Sequence, residues 1–325
     1  MAESCLLVGD IGGTNARFAI ADTGKPGFSG EKSFECADFE STSDAIHAYL
    51  SEFDVSQLKG ICLAAAGPVV DNRIRVTNNH WSIDHGDIRR EFGTPLVRLL
   101  NDFEAVAYSI VLLEGADLLP VGSPAGHKLS EAEFNIAVIG PGTGLGGAGL
   151  CKRQGTHFPI VAELGHVGFA PASDIQSEVM GLLAERFGRV SNERLLSGPG
   201  VENIYWAIAH INGGNLAEKS VAEVFSSAAD KTDPVAEQAL QMFFEVLGQV
   251  AGDMVLMLGA TGGAYIAGGI VQRYPEMLAA SNFRQGFEAK GRHRSIMETI
   301  PTQLVMHPQP GLLGASYCAL ELLAQ

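Results

Sequence analysis

"LLVGDIGGTNARFAIA", residues 6–21, sets an Asp and two glycines between two apolar β-like runs and then returns with Thr14, Asn15 and Arg17. A strand, a Gly/Thr turn and a strand running back bring backbone N–H groups, small side chains and one carboxylate close together. Residues 135–151, "NIAVIGPGTGLGGAGLC", repeat that logic in the second half of the chain. Either hairpin alone reads as an ordinary tight turn with glycine at positive φ. Two of them, opening both halves, point to a pair of loops that face each other across a cleft and present N–H groups to the phosphates of one nucleotide. Glycine suits that task because it lets the backbone approach a ligand without a Cβ. Gly9, Gly12, Gly13, Gly142 and Gly144 belong to these loops, and Thr14, Asn15 and Thr143 add neutral donors. Asp10 then stands where a hydrated Mg²⁺ takes an oxygen ligand, since Mg²⁺ keeps most of its waters and accepts few protein carboxylates.

The second loop also contains a literal G-x-G-x-x-G at Gly142, Gly144 and Gly147, directly after a strand. A nicotinamide-dinucleotide fold requires a helix next and an acidic residue about 20 positions on, where Glu163 stands. The residues that follow, "GAGLCKR" (147–153), have no helical apolar face and read as a returning strand. That favours the phosphate-loop reading.

Working outward, the chain alternates β-like and helical stretches. Runs at 6–8, 18–21 and 32–34 form a meander, and "TSDAIHAYLSEF" (42–53) sets Ala45, Ile46, Tyr49, Leu50 and Phe53 on one helical face with Ser43 as N-cap. "ICLAAAGP" (61–68) is a buried strand stopped by Gly-Pro, and "LVRLLND" (96–102) is another, followed by the helix-like "FEAVAYSIVLL" (103–113). Strands first and βαβ afterwards predict a mixed sheet with helices on both faces. In the second half, helices are expected at 173–188, near 201–210 and from 234 to about 258, then a strand at "AYIAGG" (264–269). The stretch 303–324 reads as a strand, a Pro/Gly break and a closing helix. A boundary falls near Leu113, where "EGADLLPVGSPAGHKLSEAE" (114–133) grows rich in Gly, Pro and charge. Residues 254–271 carry no charge over a membrane-span length, but their five glycines point to a helix end followed by a buried strand.

Composition narrows the function. With 325 residues, 46% of them hydrophobic and 18% charged, the chain reads as a soluble protein of two α/β units. A formal charge of −15 argues against nucleic acid as partner, while glycine loops still allow a small anionic ligand. The five cysteines are scattered without a CxxC pair and read as reduced thiols of a cytoplasmic protein. The first residues lack a basic n-region, so no signal peptide and no membrane association are expected.

Asn101-Asp102 ends a predicted strand, where open α/β sheets place ligands. A carboxylate there can take the proton of a substrate hydroxyl as it attacks phosphorus; the plainer alternative is an Asp capping the helix that starts at Phe103. Glu163 and His166 of "AELGH", with Glu193 of "SNERLLSGPG", suit the hydroxyls of a sugar, accepting from some and donating to another. A core histidine is the plainer reading of His166. A carboxylate-bridged metal site needs a second E-x-x-H, which the chain lacks. Gly268 and Gly269 follow a strand and let a flat ring lie against the backbone.

The ordered set "GDIGGTNAR", "TNNHW", "LLNDFEAVA", "GPGTGLG", "ELGHVGFAP", "ERLLSGPG", "YIAGGIV" and "PGLLGA" resembles bacterial glucokinases of the hexokinase/actin-like ATPase superfamily, from about Leu6 to Gly314. The resemblance implies ATP-dependent phosphorylation of D-glucose at its 6-hydroxyl, with Mg²⁺. It implies an α/β, two-domain ribonuclease H-like (actin-like ATPase/hexokinase) fold with mixed central sheets and a cleft between the domains, usually in a homodimer. The small domain would be residues 1–113 plus 301–325 and the large one 114–300. Asp102 would be the catalytic base, with Asn101, Glu163, His166 and Glu193 on the sugar. Asp10, Gly12, Gly13, Thr14 and Asn15 would form one phosphate loop and Gly142, Thr143 and Gly144 the other, with Gly268 and Gly269 bounding the adenosine site.

The chain departs from the family's frequent Gly-Glu-Gly-Gly-His by having Ala162-Glu163-Leu164-Gly165-His166, which brings a Cβ and a leucine into the sugar loop and bears on sugar range. The cysteine-rich zinc motif of the related kinase/repressor group is missing after His166, so no structural zinc is expected. The rival readings are a kinase for another hexose and a sugar-sensing regulator without turnover, which would need a DNA- or partner-binding module.

Overall fold

The computed structural model describes residues 4–53, 57–124, 129, 133–214 and 218–323, and the chain divides into two compact units. The first is Met1–Gly115 with His307–Gln325, the second Ala116–Met306.

In the first unit the strands are β1 (Ser4–Ile11), β2 (Asn15–Ala21), β3 (Phe28–Glu35), β4 (Gln57–Ala65), a small sheet of β5 (Val69–Val70), β6 (Arg73–Arg75) and β7 (Ser82–Asp84), and then β8 (Leu96–Asn101). The main sheet has the order β3-β2-β1-β4-β8, antiparallel through the meander and parallel from β1 to β4 to β8. Leu6, Leu7 and Val8 of β1 and Ile61, Cys62, Leu63, Ala64 and Ala65 of β4 are all buried, the continuous apolar run of an inner strand covered on both faces. The helix Thr42–Leu50 buries Ala45, Ile46 and Tyr49. Its N-cap is Ser41, whose hydroxyl accepts the Asp44 N–H, and not Ser43. The helix closes at Leu50, and Phe53 beyond it keeps contact by setting its ring 4.8 Å from that of Tyr49.

The closing helix Pro310–Leu323 belongs to this first unit and packs on β1, β4 and the helix Asp102–Ser109. A Cβ on Gly314 would fall 1.7 Å from the Ala105 carbonyl oxygen, so only glycine permits that backbone approach.

The second unit holds a six-stranded mixed sheet of β9 (Leu118–Pro120), β10 (Phe134–Pro141), β11 (Leu145–Arg153), β12 (Thr156–Ala162), β13 (Ala264–Ile266) and β14 (Thr302–Val305), in the order β12-β11-β10-β13-β14-β9. The expected boundary at 301 is corrected here: β14 pairs with β13 and β9, and the chain returns to the first unit at His307. Part of the Gly/Pro-rich stretch 114–133 lies outside the described residues.

The 25-residue helix Pro234–Leu258 is the axis of the second core. Asp233 caps it by accepting from the Val235 and Ala236 N–H groups, and Gly259, in the left-handed conformation at φ 57°, ends it. Among the described residues it is the one helix long and apolar enough to cross a membrane, and 72% of its most apolar window is buried inside the protein. After it come a turn and the buried strand β13, as the glycines of 254–271 suggest.

Candidate active site

Both hairpins form. The first turns at Gly12-Gly13-Thr14 between β1 and β2, closed by the Gly12 N–H donating to the Asn15 carbonyl at 2.9 Å. The second turns at Gly142-Thr143-Gly144 between β10 and β11, closed by the Gly142 N–H on the Gly144 carbonyl at 2.8 Å. Because β11 returns antiparallel where a dinucleotide fold would place a helix, the nicotinamide reading falls.

Contrary to the ordinary-hairpin expectation, none of Gly12, Gly13, Gly142 and Gly144 has a positive φ. At two of them neighbours press close: a Cβ on Gly13 would lie 3.1 Å from the Thr77 carbonyl, and one on Gly144 would lie 2.5 Å from Glu193 Oε2, so that the carboxylate would have to shift. Gly12 and Gly142 are different. A Cβ there meets nothing nearer than 3.5 Å and 4.0 Å respectively, so the packing of the protein itself does not call for glycine. Thr14 and Thr143, at the tips, are exposed.

The first hairpin rests on "TNNHW", residues 77–81. Asn79 Nδ2 donates to the Gly12 carbonyl at 3.4 Å, and the Thr77 N–H ties this segment to Ala66 at 2.8 Å. Asp10, at the end of β1, faces Arg17 across the ladder with 3.9 Å between Oδ2 and Nη1. Burial raises its pKa, and the Arg17 charge partly opposes that rise. On its other side is the first turn of the closing helix, where a Cβ on Gly311 would fall 2.9 Å from the carboxyl carbon. Gly9 has a packing reason of its own: a Cβ there would face the core, 2.8 Å from Leu63 and 3.1 Å from Phe18.

Asn101 ends β8 and caps the helix Asp102–Ser109 in a capping box: its Oδ1 accepts from the Phe103 and Glu104 N–H groups, and Glu104 accepts the Asn101 N–H. The cap expected of Asp102 is therefore mainly the work of Asn101, although Asp102 Oδ1 also accepts the Phe103 N–H at 2.9 Å. Asn101 Nδ2 donates to the Gly67 carbonyl at 3.1 Å. Its oxygen is thus engaged, and at most one amide hydrogen is left for a ligand. Glu104 is buried against Arg98, 3.5 Å away; burial raises its pKa and the guanidinium opposes the rise. Asp102 sits half-buried at the first helical position, at the carboxyl end of a parallel strand.

In the second unit the structure gathers the remaining residues. Glu163 precedes a 3₁₀ turn, Leu164–His166, that His166 ends, and both are exposed, which sets aside a core histidine. Such a turn places residues three apart on one side. Leu164 points the other way: it is 4% exposed, and a Cβ on Gly147 would lie 3.0 Å from it. The leucine that departs from the family pattern therefore belongs to the core and does not reach the exposed side of the sugar loop. Glu193, half-buried, accepts the Leu145 N–H through Oε2 at 2.9 Å. Gly268, at φ 100°, packs on the second hairpin, where a Cβ would lie 2.4 Å from the Pro141 carbonyl; Gly269, with nothing within 4 Å, opens the short helix Gly269–Gln272. Among the described residues no group of three or more His, Cys, Asp or Glu is placed to hold a metal ion.

With two matched glycine hairpins, a carboxylate at a strand end and a Glu/His/Glu set in place, comparison with known proteins is decisive. The glucokinase family model matches residues 7–322. The chain belongs to the glucokinase family. It is 40% identical to a glucokinase of Marinobacter nauticus over 319 residues, 97% of each chain. Its fold is similar to a solved glucokinase from an Antarctic psychrotroph, with a TM-score of 0.86, 31% identity and coverage of 98% of this chain and 99% of that one. A glucokinase from Balamuthia mandrillaris, solved in complex with glucose, shares the fold at a TM-score of 0.76 and 23% identity, over 97% of this chain and 93% of the other. Glucokinases are ATP-dependent glucose kinases, and the mixed α/β architecture is that of the actin-like ATPase fold.

Proposed function

We propose that this glucokinase-family chain transfers the γ-phosphoryl of ATP to the 6-hydroxyl of D-glucose with Asp102 as general base. The observation that carries the reading is the bare backbone at Gly12 and Gly142, equivalent places in two hairpins, where the protein leaves room for a side chain that is not there. The N–H groups of Gly12 and Gly142 themselves close the turns, so a ligand that must come close to the backbone, with the N–H groups of the residues that follow as its donors, accounts for both absences, and phosphate oxygens are such a ligand. Gly13, Thr14 and Asn15 serve the first loop, and Thr143 and Gly144 the second. Gly268 and Gly269 bound the adenosine.

Glu163, His166 and Glu193 bind sugar hydroxyls, with one amide hydrogen of Asn101 as a further donor. Asp102 holds a carboxylate at the sugar's 6-hydroxyl and takes its proton as the oxygen attacks phosphorus in line. The loop N–H groups stabilise charge on the transferred group's oxygens. Asp10 fits a hard cation, because its half-buried carboxylate is balanced only in part by Arg17 at 3.9 Å. When bound there, Mg²⁺ supplies neutralisation of the nucleotide's phosphate charge, held by one carboxylate and the phosphates themselves. The enzyme is placed in the cytoplasm as a homodimer.

The test is direct. Purified protein is expected to release ADP only when ATP, Mg²⁺ and glucose are all present. Release that ignores glucose, or none with any hexose in a panel of glucose, mannose and fructose, overturns the reading.

A further inference from the structure

Three segments far apart in sequence meet at one carboxylate in the second unit. Glu193 Oε2 accepts the Leu145 N–H at 2.9 Å, directly after the second glycine turn. The same oxygen would lie 2.5 Å from a Cβ on Gly144 and 3.3 Å from one on Gly165, in the turn between Glu163 and His166. Neighbours of Glu193 tie the same two segments: Asn192 Nδ2 donates to the Leu164 carbonyl at 3.3 Å, and the Gly198 N–H donates to the Gly142 carbonyl at 2.9 Å. Ser197 holds the stretch in shape, its hydroxyl donating to the Glu193 carbonyl at 2.8 Å. Residues 192–198 thus form a brace between the turn assigned to the sugar and the loop assigned to phosphate.

We propose that Glu193 is a positioning residue of the phosphate loop, and that through it sugar bound at Glu163 and His166 sets the affinity of the loop for nucleotide. The proposal rests on the loop assignments made above and goes beyond sugar binding by Glu193. A carboxylate has two oxygens and about four acceptor sites. One oxygen is committed to the Leu145 N–H, and the other is available to a sugar hydroxyl. A sugar that orders the carboxylate also orders the N–H it holds, and with it Gly142, Thr143 and Gly144. Because Gly144 and Gly165 lack side chains, nothing lies between the carboxylate and either backbone.

The experiment measures binding of Mg²⁺ with a non-hydrolysable ATP analogue by calorimetry, without and with glucose, so that catalysis does not enter. Glu193→Gln keeps an acceptor for the Leu145 N–H and is expected to retain wild-type nucleotide affinity without sugar, while glucose no longer strengthens it. Glu193→Ala removes the acceptor and is expected to weaken nucleotide binding without sugar by roughly tenfold or more, the scale of a lost charge-assisted hydrogen bond. A Glu193→Ala affinity equal to wild type without sugar overturns the proposal. Gly165→Ala repeats the question from the sugar side, since its Cβ would press the Leu145 carbonyl from 2.5 Å. Weakened nucleotide binding supports the brace, and unchanged binding overturns it. Gly142→Val separates the two levels of argument: if it weakens nucleotide binding while Glu193→Ala does not, the loop assignment stands and the brace falls. If neither variant weakens it, the phosphate-loop reading itself falls.

Discussion

The two hairpins are alike in outline and different in where they get their charge. The first carries Asp10 within its own strand, two residues before the turn, facing Arg17 across the ladder. At the matching place the second has Gly140, and its carboxylate comes from Glu193, 48 residues beyond Leu145. On the proposed roles, the first hairpin draws its cation carboxylate from its own chain segment, whereas the second is held by one from a distant segment. The carboxylates of the first unit, Asp10 and Asp102, are assigned to metal and proton. Those of the second, Glu163 and Glu193, are assigned to holding. Substitutions in the first unit should then fall on turnover, and those in the second on affinity.

The sharpest way to break this division is Asp102→Asn. Turnover is expected to fall about 10³-fold, the scale of a lost general base, with the glucose dissociation constant within a few-fold of wild type by titration. Near-normal turnover would remove the base from the first unit altogether. Next in size, Gly12→Val and Gly142→Val should each lower kcat/KM for ATP by about 10²-fold, because a side chain there keeps the phosphoryl oxygens from the loop's donors, with melting temperatures unchanged. If one hairpin tolerates valine and the other does not, the two loops are not equivalent. Third, Gly314→Ala forces a Cβ against the Ala105 carbonyl and should destabilise the first unit by about 3 kcal/mol, read by calorimetry as an earlier transition of that unit alone.

The smallest effect concerns Asp10. Its pKa is raised by burial, so the folded state holds the proton more tightly than the unfolded chain. The stability this gives is complete below the ordinary carboxylate value of 3.8 and is lost as pH rises through the folded value. Asp10→Asn should therefore melt higher than wild type at neutral pH, with a gap that closes on acidification, while it loses activity. Equal melting curves at neutral pH would mean that Arg17 fully balances the charge.

What was legible in the sequence was local. An Asp beside two glycines between apolar runs, a second such hairpin, and E-x-x-H each show their chemistry within a few residues. The partners of those residues are tertiary and gave no such sign: Asn79 beneath Gly12, Gly311 against Asp10, and Glu193 on Leu145 are joined only by folding. Some signals were present and outweighed. Asn101-Asp102-Phe103-Glu104 has the capping-box spacing that marks Asn101 as the cap. Ser41 and Ser43 flank Thr42, and apolar period alone does not choose between them. The strand at 302–305 looked like the start of the return to the first unit because neither pattern nor composition shows which sheet edge it joins.

The closing helix bears on how the protein is made. β1 leaves the ribosome early, and the helix that covers its sheet leaves only after the entire second unit. Glycines at 311 and 314 let that helix come close to Asp10 and to the Ala105 carbonyl. The unit written first is therefore finished last, and the second unit is the one able to fold while synthesis continues. A chain cut back to Met306 is expected to resist protease across the second unit and to be cut within the first, whose sheet then lacks the helix that covers it.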